Sequence, residues 1–278
     1  MPRVAIGLEY DGGEFSGWQA QRGLRTVQAT VEAALARVAA QPVEVTCAGR
    51  TDAGVHAAAQ VAHFDTDARR TMRGWVLGGN ANLPSDVSLA WAREVPEHFH
   101  ARHRAESRTY GYLIWNRASR SALCGGRATR VYQPLDGERM SAAARLLIGE
   151  HDFSAFRAAE CQARTPVRRL EVLSVERAGD WVVIRATANA FLHHMVRNIA
   201  GLLIEVGRGR ASPDRARELL ESRDRSRGAA TAPADGLYLW SVRYPAEFSL
   251  PGGAESPWAM IPGLPRLGSL SGSSHVLV

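Results

Sequence analysis

VAIGLEY, Val4 to Tyr10, reads as the first strand, and apolar and polar residues alternate over QVAHFDT, Gln60 to Thr66. That period of two is the signature of half-buried strands. Valine-rich VEVTC, Val43 to Cys47, reads as another strand, and Val87, Leu89 and Trp91 alternate as a fourth. Between these stretches the period lengthens. Val27, Val31, Leu35 and Val38 share one face of a helix predicted from Val27 to Ala40, with Thr26 at its N-cap and Pro42 closing it. A second helix, about Thr71 to Gly79, carries Met72, Val76 and Trp75 inward. The order is β-α-β-β-α-β.

The second half repeats that order. RTYGYLIWN, Arg108 to Asn116, is a strand with Tyr110, Tyr112 and Ile114 on one face. Glu138 to Gly149 follows as a helix stacking Met140, Ala144 and Leu147. LEVLSVER, Leu170 to Arg177, turns at Gly179-Asp180 into WVVIRATAN, and a long helix is expected from Phe191 to Val206. A shorter helix begins at Ser212-Pro213, and Gly236 to Tyr244 supplies the last strand. No sequence repeat is visible, but the split β-α-β pattern occurs twice. We therefore expect an α/β (α+β) chain of two ferredoxin-like, RRM-like halves, residues 1–105 and 106–245, facing a shared central cleft. The Pro-, Gly- and Ser-rich stretch 246–278 is expected to be a mobile, dispensable tail.

Hydrophobic content of 45% and charge of 22% describe a globular protein with ample core. No run approaches the ~18 apolar residues of a membrane helix, and the opening MPRVAIGLEYDGG meets charge too early for a secretory signal. Cys47, Cys124 and Cys161 stand far apart, which suggests neither a disulfide framework nor a zinc cluster and points to the cytoplasm. A net charge of +6 favours a polyanionic partner such as nucleic acid, although a GC-biased genome would also raise arginine. All 34 basic residues are arginine. The lack of lysine excludes Schiff-base chemistry, pyridoxal binding and a Walker A loop. Gly207-Arg208-Gly209 lacks the third glycine of a dinucleotide loop, and no cofactor is expected.

The densest chemistry lies in AGRTDAGVHA, Ala48 to Ala57, between two predicted strands. One carboxylate, Asp52, stands two residues after Arg50 and two before Gly54. A short acid beside a permanent cation on a strand-to-strand loop is a way to keep a carboxylate ionised and aimed. The plain alternative is a tight turn with a surface Arg–Asp pair. His193-His194, with His56 and His63 in reserve, is the tempting metal set. Adjacent residues on a helix point about 100° apart, so that pair is not expected to chelate one ion, and no metal is expected.

These ten residues resemble the catalytic loop of the tRNA pseudouridine synthase family called TruA. Further stretches resemble that family in the family's order: EYDGGEFSGWQAQ (Glu9 to Gln21), NANLP (Asn80 to Pro84), FHAR (Phe99 to Arg102), CQAR (Cys161 to Arg164), NAFLHHMVRN (Asn189 to Asn198) and GLYL (Gly236 to Leu239). Together they span roughly residues 4 to 245. The resemblance implies the pseudouridine synthase fold and isomerisation of uridine in the anticodon stem-loop of tRNA, at positions 38 to 40, by a cytoplasmic homodimer. It makes Asp52 the catalytic carboxylate, Arg197 the arginine that pairs with it, and Tyr110 the aromatic that packs on the target base. Sheet packing beside Tyr112 is the plain reading of Tyr110. Arg50 would fill the space left by a flipped base. Phe99, His100, Ala101, Arg102 and His103, together with Cys161, Gln162 and Arg164, would contact RNA. Thr109-Tyr110-Gly111 departs from the family, which usually has a basic residue beside the tyrosine.

The implied reaction needs no redox change, donor or energy source, and a lone carboxylate suits rearrangement better than the acid pair of a glycosidase. Whether the acid attacks C1′ or deprotonates C2′ stays open at this stage. Two rivals accompany this reading: a non-catalytic RNA-binding module or RNA chaperone, and a nucleoside or glycoside hydrolase using Asp52.

Overall fold

Alternation along the first strand decides which face of the sheet the helices cover. In the computed structural model, which describes residues 1–251, β1 (Arg3–Tyr10) sends Val4, Ile6, Leu8 and Tyr10 to one face and Ala5 to the other. α1 (Val27–Ala39) lays Val27, Val31 and Leu35 on the first face. Each such aliphatic side chain contributes roughly 1.5–3 kcal/mol relative to exposure. β2 (Thr46–Cys47) and β3 (His56–Asp65) flank the Asp52 loop. α2 (Met72–Asn82) starts where Thr71 Oγ1 accepts the Gly74 N–H at 2.9 Å, and β4 (Val87–Val95) ends the first set.

The second set runs through β5 (Ser107–Trp115), a short β6 (Thr129–Arg130), α3 (Gly137–Arg145), β7 (Gly149–Asp152), β8 (Val167–Ala178), β9 (Trp181–Ala188), α4 (Met195–Gly207), α5 (Arg215–Ser222) and β10 (Leu237–Arg243). The strands make one continuous sheet in the order β4-β1-β3-β10-β5-β9-β8-β7, with β2 on β3 and β6 on β5. Both sets therefore have the ferredoxin-like strand order, and β3 joins them. One edge of β3 takes β1. The other is shared, with Ala62 and His63 pairing antiparallel with β2 while His56 and Ala57 pair parallel with β10. The loop carrying Asp52 leaves the sheet between those two partners.

Several elements differ from the sequence pattern. Only Thr46–Cys47 of the expected strand Val43 to Cys47 joins the ladder; Val43 and Val45 are buried in the core. The helix expected to reach Gly149 stops at Arg145, and Gly149, at φ 123°, opens the edge strand β7 against β8. The helix expected from Phe191 begins at Met195, because His194 sits in the left-handed region at φ 62°. Packing also continues past residue 246: Phe248 is buried against Phe99 in a cluster with Tyr244. The remainder of the expected tail, residues 252–278, lies outside the described residues. Among the described residues, no helix is long and apolar enough to cross a membrane.

Two positions yield tests of this packing. A Cβ on Gly201 of α4 would stand 2.1 Å from the Ala230 carbonyl oxygen. Gly201→Ala should push that segment off the helix, costing about 2 kcal/mol and lowering Tm by roughly 5 °C in thermal unfolding. His63 on β3 accepts the Ala101 N–H through Nδ1 at 3.2 Å, and burial, with the Arg3 and His100 charges, pushes its pKa down to about 4. Its folded value lies below the unfolded one, so its contribution is complete above about pH 6.5 and is lost as pH falls through about 4. Wild type should lose about 2 kcal/mol across that window in urea titrations, and His63→Gln should flatten the loss.

Candidate active site

The Asp52 loop is fixed by buried polar groups rather than by its own turn. Gln60, fully buried on β3, donates to the Gly49 carbonyl at 2.7 Å and accepts the Gly49 N–H at 3.4 Å. Thr51 Oγ1 lies 2.9 Å from Tyr10 Oη, and the Thr51 carbonyl accepts the Trp18 N–H at 2.9 Å. Gly17, at φ 89°, lets this second loop come close: a Cβ there would meet the Thr51 oxygen at 2.8 Å. Gly49 and Thr51, on the N-terminal side of Asp52, are thus tied to other elements.

Asp52 itself is partly buried, with 23% of its side chain exposed. Arg197 Nη1, from α4, donates to Oδ2 at 3.2 Å. The Arg197 Nε donates to the Ala232 carbonyl at 2.8 Å, so the guanidinium is held on both sides. Tyr110 of β5 is buried nearby and packs edge-on against Phe191 at 5.1 Å. Burial, then the Asp52 charge, raises the Tyr110 phenol above its usual range, so the ring stays neutral at physiological pH. The expected trio of Asp52, Arg197 and Tyr110 does converge.

Two further groups reach the same carboxylate. His193 Nε2 stands 3.3 Å from Oδ1 and His194 Nε2 3.3 Å from Oδ2. This corrects the expectation that a helix would splay them apart, since both lie ahead of the first helical residue, Met195. Burial holds the His194 pKa below the usual imidazole range, His193 and Arg197 lower it further, and Asp52 opposes the shift. The pair's sequence position, three and four residues before Arg197, was the available signal.

The expected RNA-contacting residues separate by burial. Phe99 and Ala101 are fully buried in an apolar cluster, which places them in the core rather than at a surface. His100 is half-buried, with Nδ1 accepting the Arg102 and His103 N–H groups. Arg50, Arg102, His103, Gln162 and Arg164 are exposed. Among the described residues, the guanidinium groups of Arg50, Arg102 and Arg164 form no ion pair or hydrogen bond. Cys161 is half-buried, and its sulfur accepts the His193 N–H at 3.4 Å.

The pattern alone missed Arg108. Its guanidinium is buried with no acidic partner among the described residues and donates to four backbone carbonyls: Ala48 at 3.0 Å, Arg102 at 2.6 Å, Ala105 at 3.1 Å and Asn189 at 2.9 Å. Those carbonyls belong to the Asp52 loop, the His100 loop and the segment leading to His193. An arginine in register with Tyr110 and Tyr112, on a strand face expected to be core, was the signal for it.

A partly buried carboxylate, gripped by a fixed guanidinium and partly open to solvent beside a buried aromatic ring, can face a developing positive centre on a sugar. The profile of the tRNA pseudouridine synthase family matches residues 8–103 and 143–245, and the chain belongs to that family of isomerases. Curated relatives bear the name tRNA pseudouridine synthase A. The one from Methylococcus capsulatus is 58% identical over 248 residues, covering 89% of this chain and 92% of its own. That from Nitrosococcus oceani is 57% identical over 249 residues, covering 90% and 96%. The Coxiella burnetii protein is 54% identical over 251 residues, again 90% and 96%. The continuous mixed sheet with its helices is consistent with the fold expected for this family, and Tyr110 lies between the two matched segments.

Arg108 gives the test of how the site is held. Arg108→Met should leave several buried carbonyls without donors, costing about 3 kcal/mol. Urea unfolding would measure that loss. Activity per folded molecule should also fall, because the Asp52 loop and the His193 segment lose their shared tether.

Proposed function

We propose that this chain isomerises uridine to pseudouridine in the anticodon stem-loop of tRNA, with Asp52 as the reacting carboxylate. The observation that carries the assignment is the Asp52–Arg197 contact at 3.2 Å, made by a partly buried carboxylate that stays open to solvent. The reaction breaks the bond from C1′ to N1, joins C1′ to C5, moves a proton onto N1 and releases the hydrogen from C5. Asp52 faces the sugar during these steps. Arg197 keeps the carboxylate in place, and the Tyr110 ring supports the detached base without fixing one orientation, which permits rotation between the two bonds.

Arg50 is suited to occupying the space a flipped uridine vacates, as its guanidinium is planar and, among the described residues, makes no hydrogen bond or ion pair. His100, Arg102, His103, Gln162 and Arg164 grip the RNA, chiefly at phosphates. We assign residues 1–105 to supplying the carboxylate and 106–245 to completing the cleft. The working unit is a cytoplasmic homodimer, in which one subunit docks the tRNA body while its partner reacts. A non-catalytic RNA-binding module gains no support, since a partly buried, tightly gripped carboxylate is an expensive feature for binding a polyanion.

Tritium release from tRNA carrying C5-tritiated uridine tests the chemistry. Wild type should release tritium and Asp52→Asn should release none while still binding tRNA; free uracil as product would instead assign a hydrolase. Arg102→Ala and Arg164→Ala should each weaken tRNA binding and lower the slope of log affinity against log salt by about one.

A further inference from the structure

Asp52 is approached by more donor atoms than the isomerisation requires. The His193 and His194 Nε2 atoms lie 3.3 Å from opposite carboxylate oxygens, and one donor atom from each of the three residues falls within a set spanning no more than 4.8 Å. Around a four-coordinate ion with bonds of about 2.0–2.1 Å, neighbouring ligand atoms stand roughly 3.4 Å apart. The nitrogen-to-oxygen spacing here matches that edge length. The two imidazoles come together because His194 adopts φ 62°; their ring centroids are 4.0 Å apart and the planes differ by 38°. The segment is pinned through its backbone, with the His193 N–H on Cys161 Sγ and the His193 carbonyl accepting from the Ala158 N–H at 3.0 Å. Side-chain exposures of 38%, 28% and 23% for His193, His194 and Asp52 leave an approach from solvent.

We propose that Asp52, His193 and His194 bind a divalent transition-metal ion of the zinc type, and that the bound ion blocks the carboxylate. Two imidazoles and one carboxylate suit Zn²⁺, Co²⁺ or Ni²⁺, whereas Mg²⁺ and Ca²⁺ require shells of oxygen. Arg197 limits the strength. Its guanidinium is fixed 3.2 Å from Oδ2 and opposes a second cation. The ion therefore takes both imidazoles and the carboxylate, His193 facing Oδ1 and His194 facing the Oδ2 that Arg197 also holds, with water completing its shell. This is a reversible inhibitory site of micromolar rather than nanomolar affinity. Binding stands on the geometry alone, and only the blocking effect rests on Asp52 being the reacting carboxylate.

The test is a Co²⁺ titration of the metal-free full chain, followed by visible d–d absorption, with Zn²⁺ and Mg²⁺ as competitors. One equivalent should develop bands that Zn²⁺ displaces and Mg²⁺ does not. His193→Ala and His194→Ala should each weaken binding at least about tenfold while still unfolding cooperatively. His103→Ala, in the separate His100–His103 pair, should leave it unchanged. Tritium release should fall in step with occupancy and return on chelation. No bands at millimolar Co²⁺, or bands that survive both substitutions, would overturn the site. Full occupancy with undiminished tritium release would overturn the blocking effect and leave binding in place.

Discussion

Asp52 and Arg197 are 145 positions apart in the chain and 3.2 Å apart in the fold. Bringing a carboxylate and a guanidinium together in a partly buried site costs hydration, and their attraction offsets that cost only when neither can drift. The surrounding structure supplies that restraint. Gln60 and the Tyr10–Thr51 pair fix the loop on one side, and the Ala232 carbonyl fixes the arginine on the other. Ala232 in turn is set by the close approach of its segment to Gly201.

The fused sheet explains why the two residues face each other at all. Because β2 and β10 share one edge of β3, the loop leaving β2 must rise out of the sheet where the second strand set begins. It then stands above β10 and β5, close to Tyr110 and the start of α4. Arg108 links the same three regions through neutral carbonyls, which lets a permanent cation be buried without an acid competing for Arg197. The backbone at Arg102 and the Asp52 loop therefore share one tether, the Arg108 side chain.

Much of this was legible along the chain. Alternation in Gln60 to Thr66 and the spacing of Val27, Val31 and Leu35 report local geometry, and local geometry is what periodicity encodes. What failed has specific causes. Val43 and Val45 look like strand residues because they are buried, yet burial does not require a ladder partner. Phe99 and Ala101 sit within a stretch resembling a contact block, but their side chains turn into the core. The histidine pair was misjudged since one left-handed residue, invisible to periodicity, stops α4 at Met195 and turns both rings the same way.

By itself the sequence determined the two sets of elements, the helix-covered face and the all-arginine basic character, which follow from residue types and short-range spacing. Spacing also singled out Asp52 beside Arg50, whereas the candidacy of Arg197 and Tyr110 came from the resemblance of whole stretches to a known family. Tertiary structure alone decided that β3 and β10 pair, that Arg108 ties three loops together and that both histidines reach Asp52. Those outcomes depend on contacts between segments far apart in the chain, such as His56 with Tyr238 and Asp52 with Arg197. No period along the chain carries such contacts, because they are set by how buried faces and single backbone turns fit together.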